Sequence, residues 1–155
     1  PDYLPVDENH PARAQDPYGL SKVVSEAIAR SFSDGFGMET VAIRPPWVCT
    51  PEELEGLRSA GGRTVTGFQL FNYVDVRDLA EAFRLAVERP LTGHHVIQVA
   101  NDDSSVAEPL CTLLPRLYPP IAGLAKGLEG STAAVSNAKA KSLLGWKPRF
   151  SWRQK

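Results

Sequence analysis

Cysteine and methionine are scarce in this chain, two of the one and one of the other among 155 residues. Cys49 and Cys111 are too few for a disulfide framework and fit no metal-ligand spacing. They read as packed or incidental thiols of a reducing compartment, which sets the expectation of a cytoplasmic location. No apolar run approaches the roughly 20 residues a membrane-spanning helix needs, so no membrane partner is expected. An excess of charge is also lacking: 17 basic residues face 18 acidic ones, a net charge of −1, with the signs scattered. Nothing in that pattern offers a nucleic-acid surface. Histidine is sparse too. His94 and His95 are neighbours on a predicted strand and point to opposite faces, and His10 lacks a partner at useful spacing, so no metal site is assigned. A glycine-rich phosphate-binding turn is the most consequential absence. Gly35 with Gly37, and Gly61 with Gly62, neither follow a predicted strand nor open a helix, and they read as turns. The chain opens at Pro1 without an initiator methionine, so a preceding segment is expected.

What remains is the composition of an ordinary globular domain, 43% hydrophobic and 23% charged, long enough for a proper core. Its most informative stretch is Tyr18-Gly-Leu-Ser-Lys22. Asp16 and Pro17 precede it as cap and first-turn residue, placing the tyrosine at the mouth of a helix running to about Asp34. At four-residue spacing the phenol and the ammonium share a helix face, where a lysine favours the phenolate electrostatically. Of four tyrosines only Tyr18 has lysine at plus four; Asp7, Arg77 and Ala122 follow the others. The competing account is a chance pair on a solvated face.

Further along, Val24, Ala27, Ile28 and Phe32 predict the helix's apolar stripe, and Gly35 or Gly37 its end. Glu39–Arg44 predicts a buried strand stopped by Pro45-Pro46. A short helix over Glu52–Arg58, a strand over Phe71–Val74 and a helix over Val76–Glu88 follow, the last with Asp75 and Asp78 at its cap and third position. His95–Ala100 predicts a third strand and Ser105–Leu114 a helix ending near Pro115. The stretch from Pro119 to Gly130 reads as loop or poorly ordered surface. Ser136 or Asn137 caps a last helix, Ala138–Leu144, closed by Gly145. The alternation of helix and strand argues for parallel α/β layers, whose ligands bind beyond the carboxyl ends of strands. Pro45 to Thr50 therefore become candidates by position, against the simpler account that the prolines end a strand and Trp47 fills core.

Four segments in register, Pro5–Glu8 with Asp16–Lys22, Ile43–Val48, Tyr73–Ala80 and Ser136–Pro148, resemble the C-terminal half of an extended short-chain dehydrogenase/reductase of the NAD-dependent epimerase/dehydratase type. The resemblance implies part of a Rossmann-like doubly wound parallel sheet plus a small substrate-binding region within 46–72 and 101–155. It also implies NAD as cofactor, with NADP left open because the discriminating residue belongs to the half not seen here. Tyr18 would then move a proton while hydride passes to or from nicotinamide, with Lys22 also bonding the cofactor ribose. Pro45, Pro46, Trp47 and Val48 would line the nicotinamide, and Trp47, Thr50 and Arg63 the substrate. Relatives carry an arginine for the substrate diphosphate where this chain has Phe71, and a tyrosine-glycine where it has Cys49-Thr50. These departures imply a smaller sugar or polyol substrate, with Arg58, Arg63 and Arg77 either restoring an anion site or standing as solvated surface. A homodimer through the tyrosine helix is implied for the whole protein, with Ala27, Ile28 and Ser31 compatible.

Three functions stay open at this point: an epimerase or dehydratase of a sugar derivative, a dehydrogenase or reductase with net hydride transfer, and a non-catalytic binding relative. Taken alone, the 155-residue stretch is expected to lack tight dinucleotide binding and turnover, and to leave a sheet edge unpaired.

Overall fold

The computed structural model of the chain describes residues 1–63 and 68–154. Helix α1 spans Pro17–Phe36. Its start is set by the Asp16 carboxylate, which accepts the Gly19 N–H at 2.7 Å, and by Pro17, whose missing N–H costs nothing in a first turn. It ends at Gly37, where φ of 67° suits a residue without a β-carbon.

Strand β1 (Thr40–Arg44) follows, then β2 (Trp47–Cys49), helix α2 (Pro51–Ala60), β3 (Tyr73–Asp75), α3 (Val76–Glu88), β4 (His94–Gln98), α4 (Leu110–Leu117) and α5 (Ala138–Leu144). β1 pairs with β4 and β2 with β3, both parallel. The parallel α/β arrangement is the one expected from the alternation. The segment beyond β4 stitches the two pairs together, Val99 donating to the Arg44 carbonyl and Asn101 to that of Tyr73.

Period-two alternation along β1 sends Val41 and Ile43 to the side of α3 and α5, where they join Val74, Ala82, Ile97, Val99, Leu144 and Trp146 in a buried cluster. Thr40 and Arg44 face α1 instead, the threonine hydroxyl reaching the Ala29 carbonyl and the arginine reaching Glu26. Helices thus cover both faces of the parallel layer.

Several expectations needed correction. β2 was missed: a three-residue strand after two prolines carries too little periodicity to read. The helix expected from Ser105 starts at Leu110, because the Ser105 N–H and hydroxyl both bond the Phe71 carbonyl, at 2.9 and 3.0 Å, and hold that stretch extended from the helix. It also passes Pro115, with Tyr118 N–H closing the turn on Leu114. The stretch from Pro119 to Gly130 contains two 3-10 turns, Pro119–Ile121 and Leu124–Gly127, and Ala125 and Leu128 sit fully buried against Leu110 and Leu114. The apolar stripe expected on α1 faces outward: Val24, Ala27, Ile28 and Phe32 are exposed, while Ser33 is the helix's buried residue.

Asp75 caps α3 and Asp78 stands third in it, as expected, but the Asp78 carboxylate is turned to the C-terminal segment. Asp78 is buried, and its carboxylate accepts the Arg149 N–H at 2.9 Å and the Phe150 N–H at 3.0 Å, while the Asp78 carbonyl takes the Trp146 indole N–H at 2.8 Å. Desolvation pushes the Asp78 carboxyl above the usual carboxylate range, against the pull of those two N–H groups. The C-terminal segment is thereby strapped across α3.

Candidate functional site

A cleft of about 640 Å³ opens between α1 and the carboxyl end of β1. The helix contributes Tyr18, Lys22, Ser25 and Glu26; the strand and its continuation contribute Arg44, Pro45, Pro46 and Val48. Tyr18, Lys22 and Glu26 reach it together because they are spaced by four residues and so share a face. The Lys22 ammonium lies 5.0 Å from the centroid of the Tyr18 ring, over its face. No carboxylate pairs with Lys22 among the described residues. Tyr18 is 73% exposed, so its hydroxyl is open to whatever enters.

Glu26 closes the inner end of the row. Its carboxylate takes a bidentate pair from Arg44, Nε at 2.7 Å and the terminal nitrogen at 2.6 Å. That bonding holds the Glu26 carboxyl below its ordinary range and the Arg44 guanidinium above its own. The two charges cancel locally, which leaves Lys22 as the cleft's uncompensated cation among the described residues. Pro45 and Pro46 form a wall without N–H donors, rigid and largely apolar.

Five of the eight residues singled out from the sequence, Tyr18, Lys22, Pro45, Pro46 and Val48, therefore line one cleft. Trp47 does not. Strand alternation turns it to the opposite side, against the cluster of Cys49, Leu54, Leu57, Tyr73 and Trp152. Arg63 stacks its guanidinium 4.3 Å from the centroid of the Trp47 ring, and it lines a separate 470 Å³ cavity with Phe71, Glu108 and Arg116. Thr50 is the N-cap of α2: its hydroxyl accepts the Glu53 N–H, and the Glu53 carboxylate accepts the Thr50 N–H. Arg58 pairs with Glu55, and Arg77 forks onto the buried Asp75 at 2.8 and 2.9 Å, 3.5 Å from the centroid of Phe150. The substrate stretch expected over 46–72 includes residues 64–67, which lie outside those described.

Glu26, Arg44 and Gln69 belong to the cleft but were not singled out. Glu26 was within reach, since it continues the four-residue row from Tyr18 through Lys22. Gln69 was not, because it arrives from a distant turn. Among the described residues no group of histidines, cysteines and carboxylates is placed to hold a metal ion.

Residues 1–100 match the sequence profile of the NAD dependent epimerase/dehydratase family. The chain belongs to that family. A UDP-glucose 4-epimerase of Rhizobium meliloti is 25% identical across 97% of this chain and 56% of its own length. A putative UDP-glucose 4-epimerase of Methanocaldococcus jannaschii is 48% identical over 44 residues, 28% of this chain and 14% of that relative. Among solved structures, a short-chain dehydrogenase/reductase superfamily protein of Agrobacterium tumefaciens with bound NAD superposes over 98% of this chain and 58% of its own, with a TM-score of 0.67 and 22% identity. A UDP-N-acetylglucosamine 4-epimerase of Bacillus cereus superposes over 97% and 53%, with a TM-score of 0.64 and 14% identity. The fold is the Rossmann-like α/β fold of these enzymes. The chain spans about half the length of the curated relatives and structures that it matches end to end.

The residues present fit one end of the family's cofactor. A cationic lysine beside a phenol, facing a rigid wall of two prolines, suits a ribose and a flat heteroaromatic ring. The pyrophosphate has no comparable cradle among the described residues, because Gly37 and Gly61 follow helices and open none.

Proposed function

We propose that the protein carrying this chain converts a sugar derivative by proton transfer at Tyr18 coupled to an NAD(P) cofactor, as an epimerase or dehydratase. The observation that carries the reading is the joint placement of Tyr18, Lys22, Pro45, Pro46 and Val48 in one cleft at the carboxyl end of β1. Nicotinamide, when bound, supplies reversible hydride transfer to a sugar carbon. The chain's own residues do the rest. The Tyr18 oxygen, as phenolate, takes the proton from a substrate hydroxyl as the carbonyl forms, and the phenol so formed returns it on the reverse step. The Lys22 ammonium, held against the ring face, stabilises the negative charge that Tyr18 carries before it takes the proton, and is free to bond a ribose hydroxyl. Glu26 and Arg44 neutralise one another and leave that field to Lys22. The apolar proline wall offers no N–H donor to compete for the substrate.

Replacing Tyr18 by phenylalanine in the full-length protein tests this reading. Turnover is expected to fall by about 10²–10⁴-fold, the usual worth of a general acid–base group, with NAD affinity unchanged. Retained turnover would sink the assignment.

The substrate side favours a second reading, a dehydrogenase or reductase acting on a smaller sugar. Phe71, at the position where the family resemblance implies a diphosphate-binding arginine, is buried in the core against Leu110 and Leu114 and offers no charge. Absorbance of reduced nicotinamide separates the two, since epimerisation leaves no net reduced cofactor. For the whole protein we also infer a homodimer through α1, supported by Leu20, Val24, Ile28 and Phe32, which form an exposed apolar row at four-residue spacing. Sedimentation of an Ile28→Glu variant as a monomer would support it, and an unchanged mass would remove it.

A further inference from the structure

Three consecutive residues, Gln69, Leu70 and Phe71, hold φ of 55°, 52° and 63°. This is left-handed backbone that residues bearing a β-carbon disfavour and that glycine adopts freely. A run of three persists only where the surroundings over-determine it.

The surroundings here are explicit. The side chain of Asn72, buried to 1% exposure, donates to the Gln69 carbonyl at 2.7 Å, while its oxygen accepts the Ala134 N–H at 2.9 Å and the Val135 N–H at 3.2 Å. Ser105 fixes the Phe71 carbonyl from both its N–H and its hydroxyl. Phe71 is buried in the core and Leu70 packs against it. Burial repays the conformation at these two positions. Gln69 gains nothing comparable: it is exposed, and among the described residues its carboxamide has no hydrogen-bond partner. What the turn achieves at Gln69 is placement, since the residue lines the cleft of Tyr18 and Lys22.

We propose that Gln69 orients the substrate over Tyr18, its carboxamide bonding a sugar hydroxyl adjacent to the reacting carbon. The chemistry suits that ligand. A carboxamide offers two N–H donors and a carbonyl acceptor without net charge, which matches neighbouring hydroxyls of a neutral sugar ring. The anchored backbone limits the side chain's freedom before substrate arrives, so less order is lost on binding. This inference rests on the sugar-converting reading above and names a specificity group within that site.

The decisive variant is Gln69→Gly in the full-length protein, because glycine keeps the left-handed turn and removes only the carboxamide. Its melting temperature is expected to equal or exceed that of the parent. KM for the sugar substrate is expected to rise at least tenfold, with kcat changed less than threefold and NAD affinity unaltered. Binding of UDP-glucose in the presence of NAD, measured in the Tyr18→Phe background where no turnover intervenes, is expected to weaken by the same factor when Gln69→Gly is added. An unchanged KM and unchanged sugar affinity overturn the inference and leave Gln69 as a turn residue. A loss that appears only alongside a lowered melting temperature overturns it as well. Should Tyr18→Phe retain turnover, the proton-transfer reading fails, while the Gln69→Gly comparison still decides this one. A parent protein that binds no sugar overturns both.

Discussion

Removing the Asp78 carboxylate should release the C-terminal strap, and the cost can be worked from its partners. Two backbone N–H groups, of Arg149 and Phe150, are held by this one side chain at 2.9–3.0 Å. A donor deprived of its partner costs about 1–3 kcal/mol when buried, and both sit at a half-buried strap, which favours about 1 kcal/mol each. Relief of the desolvated carboxylate offsets part of this, since burial already holds the Asp78 carboxyl above its ordinary range. Asp78→Ala is therefore expected to cost between about 1 and 2 kcal/mol. Asp78→Asn keeps one carbonyl oxygen in place and should cost about half of that. Urea unfolding of the two variants beside the parent, at equal m-value, measures both numbers. Tryptophan near-ultraviolet circular dichroism should fall in Asp78→Ala before global unfolding, because Trp146 and Trp152 are buried in the same strap. A cost for Asp78→Ala below about 0.5 kcal/mol, the scatter of ordinary surface substitutions, would refute the clamp, as would equal costs for the two variants.

The Glu26–Arg44 pair gives a pH dependence of fixed sign. The folded carboxyl lies below its unfolded value of about 4.3, so its contribution is complete above that pH and is lost as pH falls through the folded value. The stability gap between the parent and Glu26→Gln should therefore be widest at neutral pH and close in acid, as urea midpoints across that range would show. The two cysteines should separate under alkylation. Cys49 is fully buried, its thiol donates to the Val74 carbonyl at 3.4 Å, and burial followed by the neighbouring Asp75 pushes it up to about 12. Iodoacetamide at mildly alkaline pH should label the half-exposed Cys111 in the folded protein and reach Cys49 only in denaturant, read by peptide mass spectrometry.

Much of the fold was legible because its signals are local. Asp16 and Pro17 announce α1, Val76–Glu88 was read to the residue, and Gly145 ends α5 at φ of 68° as a glycine should. The cleft was half legible on the same grounds: helical spacing joins Tyr18 to Lys22, and a strand stopped by two prolines marks the end of β1. Failures came where one residue serves a distant partner. Ser105 looked like helix but bonds Phe71; Asp78 looked like a partner for its own helix's first turn but holds Arg149 and Phe150; the Pro119–Gly130 stretch looked like surface but buries Ala125 and Leu128.

By itself, then, the sequence determined the tyrosine–lysine row, the parallel α/β class and the family resemblance, because each rests on neighbours within one or two turns or on motifs in order. Only the tertiary structure decided which side of β2 faces the cleft, setting Val48 inside it and Trp47 with Arg63 outside. It alone brought Gln69 into the cleft of Tyr18, 51 positions along the chain, in a backbone conformation that glutamine does not choose and that Asn72 and Ser105 impose. Such placements depend on which buried donors find which acceptors across the fold, and no local pattern of residues encodes that choice.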